Sequence, residues 1–250
     1  MKPRLLIVND DGITSPFLPV FARRLSEVAR VSIAVPAREQ SWIGRAFSRH
    51  SEVSVERCDF FGFDCRAVGG TPADCANIAL SHIFARRRPD AVVSGLNIGQ
   101  NVAMPLLWSS GTFGAAVEAS GLGFPSFAFS MRLENKYYEM CRLRHEGLPA
   151  DLLRHVDAAC AHAASYAVKS LEKPFKAGEV RNVNYPANFG PHTPFKKCVP
   201  AKMGLVGLYR KNARGNYEFS YALGSERRQN ALTDIQALDR GFACWSKILV

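Results

Sequence analysis

Several signals are missing from this chain, and each absence removes a class of protein. No apolar run approaches the length of a membrane span, so no membrane partner is expected. Only four apolar residues follow Met1-Lys2-Pro3-Arg4, too few for the core of a secretory signal. The seven cysteines are odd in number, scattered, and include no C-x-x-C pair. That argues against a zinc site or a disulfide framework and fits reduced thiols in a cytoplasmic protein. No G-x-G-x-x-G follows the first apolar run, which argues against a dinucleotide site there. There is no internal repeat and no low-complexity stretch. Acidic residues are in the minority, 22 against 32 basic, for a net charge of +10. That balance favours anionic partners such as nucleotides, phosphorylated metabolites or nucleic acid, without choosing among them.

The chain is organised around Leu5-Leu6-Ile7-Val8-Asn9-Asp10-Asp11-Gly12. Four apolar residues in a row read as a strand buried on both faces. It stops at two adjacent carboxylates, whose repulsion a cation, nearby donors or open water must offset. In open α/β sheets, ligands bind just outside the carboxyl ends of the strands. A hard divalent cation or a phosphate therefore suits Asp10 and Asp11. Asn-Asp-Asp-Gly is also an ordinary turn sequence.

The following segments predict a βαβ unit and hence a parallel sheet. Ser15 as N-cap and Pro16 at the first helical position open a helix to about Ala29, and Val31 to Val35 forms the second strand. Ala37 to His50 is a polar loop on the side of Asp10, where Ser41 offers a hydroxyl. Val53 to Arg57 and Cys65 to Val68 read as strands around a Phe-Phe-Gly-Phe turn. Thr71-Pro72-Ala73-Asp74 is a capping-box-like helix start, with His82 packed inward further along. Arg86-Arg87-Arg88 reads as a solvated helix end. Asp90 to Ser94 is a buried strand that ends before Asn97 and Asn101. Met104 to Trp108 reads as an apolar loop. Ser110-Gly111-Thr112 then opens a helix, and small hydroxyl residues at a helix N-terminus form an anion site as readily as a plain cap. Pro125 to Phe129 is a strand, Leu133 to Pro149 a surface excursion, and Asp151 to Leu171 a long helix. His155 and His162 lie on one face of it without a third ligand. Val180 to Tyr185 is a strand. Leu205 to Lys211 and Tyr217 to Leu223 flank a glycine turn as a β-hairpin. Thr233-Asp234 caps a short helix, and Phe242 to Val250 is a last strand.

The ordered set Asn-Asp-Asp-Gly, Pro-x-x-x-Gln-Ser, Gly-Thr-Pro-Ala-Asp-Cys, Ser-Gly-x-Asn-x-Gly-x-Asn, Ser-Gly-Thr-x-x-Ala-Ala, Asn-Val-Asn-x-Pro and Thr-Asp-x-x-Ala-Leu closely resembles the SurE survival proteins. The likeness runs from Leu5 to about Gly241. It implies an α/β fold, a Rossmann-like parallel sheet flanked by helices, with a C-terminal β-hairpin extension. Residues 1–250 form one domain, with the metal-site core in about 1–130 and the extension in about 200–225. It implies a metal-dependent phosphomonoesterase acting on nucleoside monophosphates, with one Mg²⁺ or Mn²⁺ per subunit. Asp10, Asp11, Ser41 and Asn97 match the metal ligands, and Asp10, Asp11 and Asn97 the catalytic set. Asn9, Asn101, Ser110, Gly111 and Thr112 fall where the phosphate is held. A homodimer or homotetramer is implied, and no specific nucleic acid. Three departures stand out. Ser41 is followed by Trp42 where relatives usually have Gly, the loop Val102 to Trp108 is apolar with Ser109 in place of a Tyr, and Cys244 to Leu249 replaces the usual Thr-Pro-Leu ending. Two rival readings are a nucleic-acid-binding module with structural carboxylates, and a phosphatase of another superfamily with Asp10 as nucleophile.

Overall fold

The structure, a computed structural model, describes residues 2–142, 147–204, 206–222 and 224–250. Among the described residues, nine strands form one sheet in the order 55–60, 63–68, 30–36, 4–8, 91–98, 126–131, 179–185, 243–249, 195–197. Its centre is parallel: β1 (Arg4–Val8) lies between β2 (Arg30–Pro36) and β5 (Ala91–Ile98), followed by β6 (Ser126–Met131) and β7 (Glu179–Tyr185). Beyond β2 lies β4 (Phe63–Val68), to which β3 (Val55–Phe60) pairs antiparallel through a two-residue loop. Both loop residues, Phe61 and Gly62, have positive φ, as primed hairpin turns require.

The central strands are apolar on both faces because helices cover both. Leu5, Ile7, Ile33, Val93, Phe127 and Phe129 share a core with α1 (Leu18–Val28) and α6 (Ala150–Ser170). Leu6, Val8, Ala34 and Val92 alternate to the opposite face, against α2 (Pro72–Ile78) and α4 (Gly111–Gly121). The strand order reverses around β1, whose neighbours β2 and β5 lead to opposite flanks. In such sheets that reversal opens a crevice at the carboxyl edge.

Several elements differ from expectation for local reasons. Helix α1 begins at Leu18, not after Ser15, because two turns, Ser15 N–H to Gly12 O (3.1 Å) and Leu18 N–H to Ser15 O (3.2 Å), come first. The capping box at Thr71 and Asp74 is present. After Ile78, however, the helix widens into a π turn over Ala79–Ile83, with Phe84 N–H reaching Ala79 O at 2.8 Å. The wider turn shifts the helix phase, and His82 is exposed instead of packed. Met104–Leu107 is a short helix, α3, started by Ala103 at φ +61°. The expected excursion contains helix α5 (Asn135–Arg142), while 143–146 lie outside the described residues. His155 and His162 are packing residues, bonded to Phe189 O and to the Tyr185 hydroxyl.

After β7, the three-residue β8 (Phe195–Lys197) escaped notice in the sequence because it is short and lysine-rich. Strands β9 (Tyr209–Lys211) and β10 (Tyr217–Phe219) form the hairpin, shorter than expected; Leu205 and Leu223 lie outside the described residues. Helix α7 (Asp234–Asp239) starts at its Thr233 cap, and β11 (Ala243–Leu249) runs antiparallel to β7. Buried Asp234 ties this region to the site loops by accepting from Ala103 N–H (3.0 Å) and Ala201 N–H (2.9 Å). No helix among the described residues is long and apolar enough to cross a membrane.

Helices α1 and α6 are joined by Asp157, which accepts from Arg23 (2.5 Å) and from Arg24 Nε (2.8 Å). The Arg24 guanidinium holds the Asp157 carboxyl below its ordinary range. A depressed carboxyl pKa adds stability above the unfolded-state value near 4, and that stability fades as pH falls through the folded value. Asp157→Asn should therefore cost up to about 1 kcal/mol at pH 7, because the pair is only half-buried, and progressively less as the pH falls toward 2. Urea midpoints at the two pH values check this.

Candidate active site

The turn after β1 is clamped by Asn9. Its amide donates to Gly12 O (3.1 Å) and its Oδ1 accepts from Gly12 N–H (3.0 Å), while Gly12 takes a left-handed φ of +80°. This bracing faces Asp10 and Asp11 outward from the strand end. Asp10 is 4% exposed and meets the first turn of α4, where the Thr112 hydroxyl and backbone amide both donate to its carboxylate. Burial raises the Asp10 carboxyl above its ordinary range, and the Thr112 donors only partly counter it. Gly111 is required for this approach, since a Cβ there would lie 2.7 Å from Asp10 Cβ. Asp11 Oδ2 accepts from Ile98 N–H at 3.1 Å, linking the turn to β5.

Strand β5 carries a bulge. Ser94 pairs with Ala128 but Asn97 with Ser130, so one extra residue is inserted. The bulge re-aims Asn97 at the cavity, and its Nδ2 donates to Gly99 O (3.0 Å), leaving its carbonyl oxygen to another partner. Asn101 is held from several sides. Its N–H donates to Asn184 Oδ1 (2.8 Å), its Nδ2 to Ser130 Oγ (2.8 Å), and its carbonyl accepts from Asn182 and Asn184. Ser110 caps α4, its Oγ accepting from Phe113 N–H at 3.0 Å with the hydroxyl hydrogen still to donate.

A cavity of about 360 Å³ opens at this edge. Asp10, Ser41, Asn97, Asn101 and Ser110 line it, with Ser41 on the exposed rim. Asp11, Gly111 and Thr112 stand behind the lining, and the Asn9 amide faces its own turn rather than the cavity. The remaining lining includes Trp42, Gln100, Arg132, Tyr138, Phe219 and Tyr221.

Of those six, Trp42 alone stands out in the sequence, as the residue after Ser41 where SurE proteins usually have Gly. The anchor of its loop went unread. Buried Glu118 accepts from Arg45 Nε (2.9 Å) and Nη2 (2.6 Å) and from Asn77 Nδ2 (2.7 Å), while Gly44 N–H donates to Ser109 O (3.0 Å). A lone glutamate among Ala115, Ala116, Val117 and Ala119 was the available sign.

The groups that match the metal-ligand set are all oxygens, the Asp10 and Asp11 carboxylates, the Asn97 carbonyl and the Ser41 hydroxyl, and Asp10, Asn97 and Ser41 line the cavity. That is the chemistry of a hard divalent cation, and a cation there would offset the burial that now raises Asp10. No cluster of three or more His, Cys, Asp or Glu occurs among the described residues, so an ion here would draw on Asn97 and Ser41.

Fold and cavity together define an α/β protein with a cavity, lined in part by oxygen groups, at the sheet's topological switch point. The chain belongs to the SurE family: the family described as Survival protein SurE matches residues 5–207. It is similar to the 5'-nucleotidase SurE of Methanoculleus marisnigri, 42% identical over 137 residues, which covers 54% of this chain and 51% of that protein. It is also 33% identical over 195 residues to the 5'-nucleotidase SurE of Methanocella arvoryzae, covering 78% and 71%. The match thus spans about half the length of some curated relatives. The crystal structure of SurE protein from Aquifex aeolicus shares the fold, with a TM-score of 0.73 at 22% identity over 99% of this chain and 93% of that one.

Gly111→Ala should force Asp10 or α4 to move and cost about 1–3 kcal/mol by overpacking. Chemical denaturation measures the loss.

Proposed function

We propose that the chain is a metal-dependent phosphomonoesterase that converts nucleoside 5'-monophosphates to nucleoside and phosphate. The observation that carries this reading is the buried Asp10 carboxylate set against the start of α4 in a cavity lined in part by oxygen groups. The relatives' name, 5'-nucleotidase SurE, supports the substrate class.

Asp10, Asp11, Asn97 and Ser41 would hold one Mg²⁺ or Mn²⁺. When bound, such an ion polarises a phosphoryl oxygen and lowers the pKa of a water. The Ser110 hydroxyl and the second Asn101 amide hydrogen would donate to the phosphoryl group as its charge redistributes. Thr112 and Gly111 keep Asp10 in place from behind, and Asn9 keeps the turn rigid, a positioning part. Activity toward 3'-nucleotides and short polyphosphates belongs to the same chemistry, since each presents a terminal phosphoryl group.

A nucleic-acid module is less well supported. Of the arginine run, Arg87 pairs with Asp64 (3.2 Å) and Arg88 lies 4.3 Å over the Phe124 ring, at the sheet edge opposite the cavity.

Turnover of a nucleoside monophosphate should require added Mn²⁺ or Mg²⁺ and vanish on exhaustive chelation. Asp10→Asn should abolish turnover, yet the metal-free variant should melt no earlier, gaining about 1 kcal/mol because a charge no longer has to be buried. Full activity after chelation, or an early-melting variant with normal turnover per folded molecule, would contradict the proposal.

We further propose a cytoplasmic homodimer or homotetramer joined through the hairpin, whose Tyr209 and Tyr217 are largely exposed. An isolated hairpin is marginal in water, so these faces call for a cover. Deleting 205–223 should yield monomers in sedimentation, and an unchanged oligomer would refute the assignment.

A further inference from the structure

The cavity lining is of two kinds. Asp10, Ser41, Asn97 and Ser110 supply oxygens, and Trp42, Phe219 and Tyr221 contribute aromatic rings. The wall they form is assembled from distant parts of the chain. Trp42 comes from the loop after β2, and the other two from β10 and the residues just beyond it. The Trp42 ring meets Phe219 at 4.8 Å and 66° and Tyr221 at 5.6 Å and 63°, both in edge geometry. Tyr221 is bonded to Gln100, whose Oε1 accepts from Arg132 Nε, and Arg132 donates to Asp239 at 2.8 Å. The wall is therefore tied to the rigid edge of the sheet.

Trp42 also sits at φ +62°, in the left-handed region where a bulky side chain is disfavoured. Its ring gains little from burial, since 41% of the residue stays exposed. A strained, half-exposed tryptophan on a cavity wall serves the cavity rather than the core.

We infer that Trp42, which stands where SurE proteins usually have Gly, is a specificity-determining residue peculiar to this chain, one that strengthens the hold on nucleotides. With Phe219 and Tyr221, it provides the aromatic surface on which the nucleobase of a nucleoside monophosphate stacks while the phosphate lies at Asp10. The inference rests on the phosphomonoesterase reading and deepens it. Planar heterocycles stack on aromatic side chains regardless of base identity, so the wall selects nucleotides over ring-free phosphate esters and discriminates weakly among bases.

The test compares kcat/KM for adenosine 5'-monophosphate with that for β-glycerophosphate, which has no ring, in the full chain with Mn²⁺. Glycine is at home at φ +62°, so Trp42→Gly should fold, and its melting temperature verifies that. The nucleotide-to-glycerophosphate ratio should fall roughly 10- to 100-fold in Trp42→Gly, through KM rather than kcat. Trp42→Phe should restore most of it. An unchanged ratio in Trp42→Gly, or a Phe variant as impaired as the Gly variant, would overturn the inference. A wild-type chain that cleaves neither ester would overturn the phosphomonoesterase reading itself, and this inference with it.

Discussion

A carboxylate taken almost wholly out of water must be matched by donors or positive charge, and Asp10 sets that demand for this protein. Thr112 meets part of it with a hydroxyl and a backbone amide, aided by the dipole of α4. Everything nearby follows from bringing a strand end against a helix start. Position 111 lacks a Cβ because Asp10 occupies the space, and Asn9 and Gly12 close the turn tightly enough to aim it. On the proposed reading, a cation would meet the part of that demand that Thr112 leaves.

The sheet supplies rigidity and the loops supply the variable wall. Strands β1 and β5 are buried on both faces and cannot shift without opening the core. The loop after β2 is exposed at its tip yet pinned at its base, by Glu118 to Arg45 and by Gly44 to Ser109. A pinned loop can hold a ring such as Trp42 at a fixed place in the cavity lining. The hairpin completes that wall from far along the chain, so the C-terminal region shapes the cavity that the N-terminal strands found.

The sequence made the parallel core and the oxygen-bearing strand ends legible because both depend on local order: apolar runs, then small polar residues. Asn97 showed its residue type but not its aim, since a one-residue bulge turns it and bulges have no strong local signature. Helix α1 starts later than Ser15-Pro16 predicts, because Ser-Pro is a good cap only where the chain is free to turn into a helix. Here the site turn continues through Ser15 first. His82 turns outward because a π turn alters the period that sets the inward face. The aromatic wall was unreadable for another reason. Residues 42, 219 and 221 meet only through tertiary folding, and no spacing rule connects them. Arg132, Gln100 and Asp239 form a chain of the same non-local kind.

The central claim is that Asp10 and its neighbours form one divalent-cation site at the cavity. Anomalous diffraction from crystals soaked in Mn²⁺ tests it most directly. The account predicts one strong peak within bonding distance of oxygens from Asp10, Asp11, Asn97 and Ser41. A saturating soak that leaves this position without a peak, or places manganese elsewhere in the chain, would contradict it.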